Sequence, residues 1–95
     1  MKVRSMISRA GNPVANQFII EGEECGFPTK WFQSYSSMIA KQITAMGKTI
    51  TYLDETYWNY SVTTSKYRNQ FLGETTDETK AKIDSGEYLL AELNR

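Results

Sequence analysis

The chain has no histidine and a single cysteine among its 95 residues. Without imidazole it lacks the side chain that most often serves as a general base and as a metal ligand. One thiol cannot close an internal disulfide, which fits a reducing compartment, and one cysteine without histidine cannot make a zinc-binding set. Eleven Lys and Arg balance eleven Asp and Glu, so the basic excess usual in duplex-DNA proteins is missing. A surface near neutrality also resists association less, which leaves a homo-oligomer open. No apolar run approaches the roughly 18 residues that a membrane helix needs. The opening "MKVRSMISRAGNP" lacks the apolar stretch of a secretory signal. The expectation is a cytoplasmic chain with no membrane partner.

Aromatic rings are plentiful: they make up 13% of the residues, within a hydrophobic share of 40%. Large rings fill a small core efficiently. The length suits a single domain over residues 1–95. "KVRSMIS" alternates Val3, Ser5 and Ile7 against Lys2, Arg4 and Met6, the period of a strand with one wet face. "RAGNP" is turn chemistry, and "VANQFIIE" follows as a second strand, so the two segments read as a hairpin. "GEECGFPT" breaks the chain again. "KWFQSYSSMIAKQI" reads as a third strand, bent near Ser36 and Ser37. "TAMG" is a turn around Gly47, and the β-branched "KTITYL" is a fourth strand.

The second half turns helical. Asp54 is placed to cap a short turn over "ETYW". Thr63 or Thr64 is placed to cap a helix through "SKYRNQFL", ended by Gly73. "TTDETKAKIDSG" carries a capping box of Thr75 and Glu78, with Gly86 just past the end. "EYLLAEL" reads as a closing strand, with Tyr88, Leu90 and Leu93 as candidates for burial. Strands first and helices after them predict an α+β fold. The expected sheet is mostly antiparallel, four- to five-stranded, with two short helices in the C-terminal half.

No constellation for catalysis, no cofactor cradle and no metal set emerges from the residues, so a non-enzymatic chain is expected. Ser65 and Lys66 are adjacent, but helix neighbours diverge. Cys25 sits among Glu21, Glu23 and Glu24, which disfavour a thiolate. The acidic pairs Asp54–Glu55 and Asp77–Glu78 are accounted for by helix starts. Two aromatic segments remain. In "KWFQSYSS", Trp31, Gln33 and Tyr35 share one strand face and Phe32, Ser34 and Ser36 the other. One face must enter the core, and the other is where a single strand of nucleic acid would stack. In "YWNYSVTTSKYRNQFLG", Tyr67 and Phe71 share a helix face and are expected inside, while Arg68, Asn69 and Gln70 are expected outside. Tyr, Trp and Arg are enriched at binding hot spots. The expected partner-binding residues are therefore Trp58, Tyr60, Lys66, Arg68, Asn69 and Gln70.

"FQSYSSMIA", "YLDETYWNYSVTTSKYRNQFLGETT" and "IDSGEYLLAEL" together resemble a group of small orphan proteins of bacteriophages and related mobile elements. The likeness spans nearly all the chain after residue 17 and rests on Phe32, Ser34 to Ser36, and Tyr57 to Leu72. It implies a genomic setting and no residue roles. In that setting the expected activity is docking on a host or defence protein in the host cytoplasm and blocking it, as inhibitors of CRISPR effectors or restriction systems do. The rival expectation is a nucleic-acid-binding accessory protein.

Overall fold

The computed structural model describes residues 1–94. Its strands are β1 (Lys2–Ile7), β2 (Pro13–Glu24), β3 (Phe27–Ser34), β4 (Ser37–Ala45), β5 (Lys48–Asp54) and β6 (Tyr88–Ala91). They form one six-stranded sheet in chain order. The first five pair antiparallel, and β6 pairs parallel to β5. Between these two strands the chain crosses over through α1 (Val62–Leu72) and α2 (Thr76–Asp84). The fold is α+β, mostly antiparallel, with both helices in the C-terminal half.

The β2–β3 and β4–β5 hairpins close on two-residue turns. Cys25 and Gly26 have φ of 52° and 82°, and Met46 and Gly47 have 52° and 76°, the double positive φ that suits the twist of adjoining strands. The expected break over "GEECGFPT" is therefore much shorter than read, because β2 continues through Gly22 to Glu24. The expected bent third strand is two strands, β3 and β4, folded at Tyr35 and Ser36. Tyr35 takes φ of 56°, and a bulky residue in that region carries no turn signal in sequence. This hairpin supplies the sheet's additional strand. In β1 the buried side chain is Met6, whereas Val3 and Ile7 are exposed, and the register slips between Ser5 and Ile7.

Asp54 caps the turn after β5 as read: its Oδ2 accepts from the N–H groups of Thr56 at 3.1 Å and Tyr57 at 2.9 Å. Its Oδ1 accepts from Leu93 N–H at 2.9 Å, tying the chain end to the same carboxylate. The N-cap of α1 is Ser61, not Thr63 or Thr64: Ser61 Oγ accepts from Thr64 N–H at 3.1 Å. Gly73 ends α1 in the left-handed conformation, and Thr75 and Glu78 form the full capping box of α2. Such a cap contributes about 1 kcal/mol.

The core joins Met6, Phe32, Ile39, Ala40, Leu53, Tyr67 and Tyr88. Phe71 of α1 stacks on Phe32 at 5.8 Å between ring centres, and Ser34 Oγ bonds Thr64 Oγ1 at 2.9 Å. These contacts lay α1 on the sheet face that carries Phe32 and Ser34. The inward stripe of α1 is Thr64, Tyr67, Arg68 and Phe71, spaced as one helical face. Half of that stripe is polar, which is why hydrophobic periodicity marks the helix so weakly. Tyr88 is buried as expected, but Leu89 and Leu90 of the closing strand remain exposed.

Candidate functional site

The turn after β1 and the start of α1 enclose a groove of about 1070 Å³. Ile7, Ser8 and Arg9 form one wall. Asn59, Tyr60, Ser61 and Val62 lead into the other, which continues along α1 through Ser65, Lys66, Asn69 and Gln70. Gln70 Nε2 donates to Ile7 C=O at 2.7 Å and fixes the helix to the strand end. Tyr60 and Val62 are exposed large apolar side chains. Tyr60 meets Tyr57 edge to face at 5.3 Å, which orients its ring.

Arg68 stands behind this groove. The expectation that it is an exposed contact is overturned, because its side chain is fully buried. Its Nη1 donates to Trp58 C=O at 2.6 Å and Asn59 Oδ1 at 3.1 Å, with Ser65 Oγ at 3.4 Å. Its Nη2 donates to Asn69 Oδ1 and Thr76 Oγ1, both at 2.8 Å. The guanidinium also lies over the Trp58 ring at 5.2 Å. Burial lowers the pKa of Arg68, and the charge of Glu74 works against that shift. A planar fork is needed to reach the 58–61 segment, α1 and the first turn of α2 at once. Arg68 therefore sets the shape of the groove from within. Asn69 is half-buried by the same network, bonding Thr76 Oγ1 through Nδ2 at 3.2 Å.

The six expected contact residues thus divide. Tyr60, Lys66 and Gln70 are exposed and line the groove, Asn69 is half-buried in its floor, and Trp58 and Arg68 form the support beneath. Sequence reasoning missed Arg9 and Ser8, which the β1–β2 turn brings opposite α1. It also missed the arginine network. Its signal is an Arg surrounded in sequence by Asn59, Ser65, Asn69 and Thr76, all short polar groups able to accept its bonds.

Glu74 borders the groove, but its carboxylate is turned away and only 4% exposed. It accepts from Lys82 Nζ at 2.8 Å, Thr79 Oγ1 at 2.5 Å and Tyr88 Oη at 2.6 Å. Burial pushes its pKa up, but bonds from Lys82, Thr79 and Tyr88 outweigh burial and hold it below the usual carboxyl range. Burial and the bond to Glu74 push Tyr88 up to about 12. Arg9 and Lys66 have no ion pair with an acid among the described residues. The groove therefore presents two uncompensated cations beside an apolar rim.

The other candidate groups have structural partners. Ser65 Oγ donates to Asn59 Oδ1 at 2.9 Å, and Lys66 Nζ lies over the Tyr67 ring. Glu21 pairs with Arg4, Glu24 with Lys41, and Cys25 is exposed in its turn. Among the described residues no helix is long and apolar enough to cross a membrane.

These features define a small α+β domain with one helix-covered sheet face and an amphipathic, cationic groove at the edge of that layer. The chain belongs to a family of unknown function (DUF8033), matched over residues 1–87. No curated protein and no solved structure matches it.

Proposed function

We propose that the chain is a binding protein whose groove receives an acidic, partly aromatic segment of a partner protein. The supporting observation is that Arg9 and Lys66, two cations from separate elements with no ion-paired acid among the described residues, line one groove beside exposed Tyr60 and Val62. The volume, about 1070 Å³, is slightly above the roughly 300–1,000 Å³ typical of ligand pockets and suits a few side chains of a peptide. Groove cations would steer an acidic segment, and desolvating Tyr60 and Val62 would hold it. In the setting implied by the resemblance to phage proteins, the partner is a host or defence protein. Inhibition would follow from covering one of its surfaces.

The test uses a synthetic peptide of alternating Glu and Phe as probe, with amide chemical shifts of the labelled chain as readout. Shifts are expected at Arg9, Tyr60 and Lys66, with affinity falling about tenfold or more in Lys66→Glu. Oligothymidylate is the parallel probe for the nucleic-acid rival. Peptide shifts confined to residues outside the groove, or salt-sensitive oligothymidylate binding without peptide binding, would reject the proposal.

A further inference from the structure

Cross-strand partners share a sheet face, so the register sorts every strand residue. On the face opposite the helices, one row runs across the whole sheet: Val3, Ile20, Trp31, Lys41, Tyr52 and Leu89. Ile43 and Ile50 pair on the same face two positions along. Val3, Ile50 and Leu89 remain 61%, 40% and 43% exposed. The neighbouring row on the helix side begins with polar Lys2, Glu21, Lys30 and Gln42, where the helices leave it wet, and ends in buried Thr51 and Tyr88 under them. β1 to β3 thus carry polar side chains on the helix side and, on the open side, a mostly apolar face broken by the Lys41–Glu24 pair. Antiparallel sheets with one solvated face put polar residues there.

We infer that this open face packs against the same face of a second copy of the chain. Three observations favour a second copy over a charged ligand. The row's only charge, Lys41, is already bound to Glu24 Oε2 at 2.9 Å and lies over the Tyr52 ring at 4.9 Å. The Trp31 ring is spread over Gly22, where a Cβ would stand 3.5 Å from ring atom Cζ3. Met1 lies over the same glycine, with its Cε 3.7 Å from that Cβ position, so apolar side chains cover this part of the face, as the inner side of a sheet-on-sheet pair requires. The formal net charge is zero, so two copies carry no overall repulsion. With strands about 4.8 Å apart and about 3.3 Å per residue, the face measures roughly 25 by 22 Å. Two copies would then bury roughly 1,100 Å² in total, just above the roughly 1,000 Å² that a specific interface needs. The area predicts a dimer of micromolar rather than nanomolar strength. The groove lies elsewhere and stays open in it.

Sedimentation equilibrium of the full chain tests this. The expected mass approaches twice 10.9 kDa as concentration passes about 10–100 µM. Ile50→Glu and Leu89→Glu should each raise the dimer Kd about tenfold or more, because each places an unpaired charge in the interface. Circular dichroism should show both variants folded, since both positions are exposed in the monomer. Ala81→Glu, on the exposed side of α2, should leave the Kd unchanged. A chain that stays monomeric at about 500 µM would overturn the inference, as would a dimer that both sheet-face variants leave intact. A monomer that binds oligothymidylate with quenching of Trp31 would give the face to single strands and overturn it equally.

Discussion

Replacing Arg68 should damage the whole molecule, although the residue is an arginine in a helix that carries few apolar side chains. In Arg68→Ala, Trp58 C=O, Asn59 Oδ1, Asn69 Oδ1 and Thr76 Oγ1 all lose a charge-assisted donor. A buried acceptor left unpaired costs about 1–3 kcal/mol. The sum is not additive, because Asn69 and Thr76 also bond each other at 3.2 Å and water can enter from the groove. Removing a buried cation that has no direct ion pair among the described residues offsets part of the loss. We expect about 3–4 kcal/mol for Arg68→Ala and about 2–3 kcal/mol for Arg68→Lys, because an ammonium cannot span both Trp58 and Thr76. A domain of this length has only about 5–14 kcal/mol in total, so Arg68→Ala should unfold at markedly lower urea. Urea titration followed by tryptophan fluorescence and far-ultraviolet circular dichroism measures the change. A loss below about 1 kcal/mol in Arg68→Ala, or a lysine variant as stable as the parent, would show that the fork is not what holds the groove.

Two further outcomes follow from buried polar groups. Gln17 is fully buried, and neither its Oε1 nor its Nε2 has a partner among the described residues, so Gln17→Met should raise stability by about 1–3 kcal/mol in the same titration. A comparable loss instead would mean that the amide holds an ordered water. Glu74 has a depressed pKa in the fold, so its contribution is present above the ordinary carboxyl pKa and is lost as pH falls through the lower folded value. Tyr88, raised to about 12, contributes fully below its ordinary pKa of about 10 and loses that contribution as pH climbs from there. Glu74→Gln should flatten the acid arm of the stability–pH curve and only lessen the alkaline one, where the burial of Tyr88 persists; an unchanged acid arm would remove Glu74 from its cause.

Much of the architecture was legible wherever backbone chemistry speaks locally. The capping box of Thr75 and Glu78, the turn around Gly47, and the stop at Gly73 each follow from local chemistry: side chains that bond the first N–H groups of a helix, and glycines that take positive φ without strain. Tyr35 was unreadable as a turn because nothing in a tyrosine announces a positive φ. The parallel return of β6 depends on where α1 and α2 lead the chain, which no short window contains. Arg68 was misplaced for a simpler reason. Arginine is rarely buried without a carboxylate partner, and here neutral acceptors from three segments substitute for one. Of the candidate site, the α1 side was foreseen and the β1–β2 turn was not, since their meeting depends on tertiary folding.

The order of strands in the sheet bears on how the chain assembles. From β1 to β5 each strand lies beside its predecessor, so every pairing closes over a short loop and forms quickly. Docking of β6 must wait for the long crossover, and it is only four residues long. The C-terminal third should therefore arrive last and open first, with amide hydrogens of β6 and α2 exchanging ahead of those in β3 and β4.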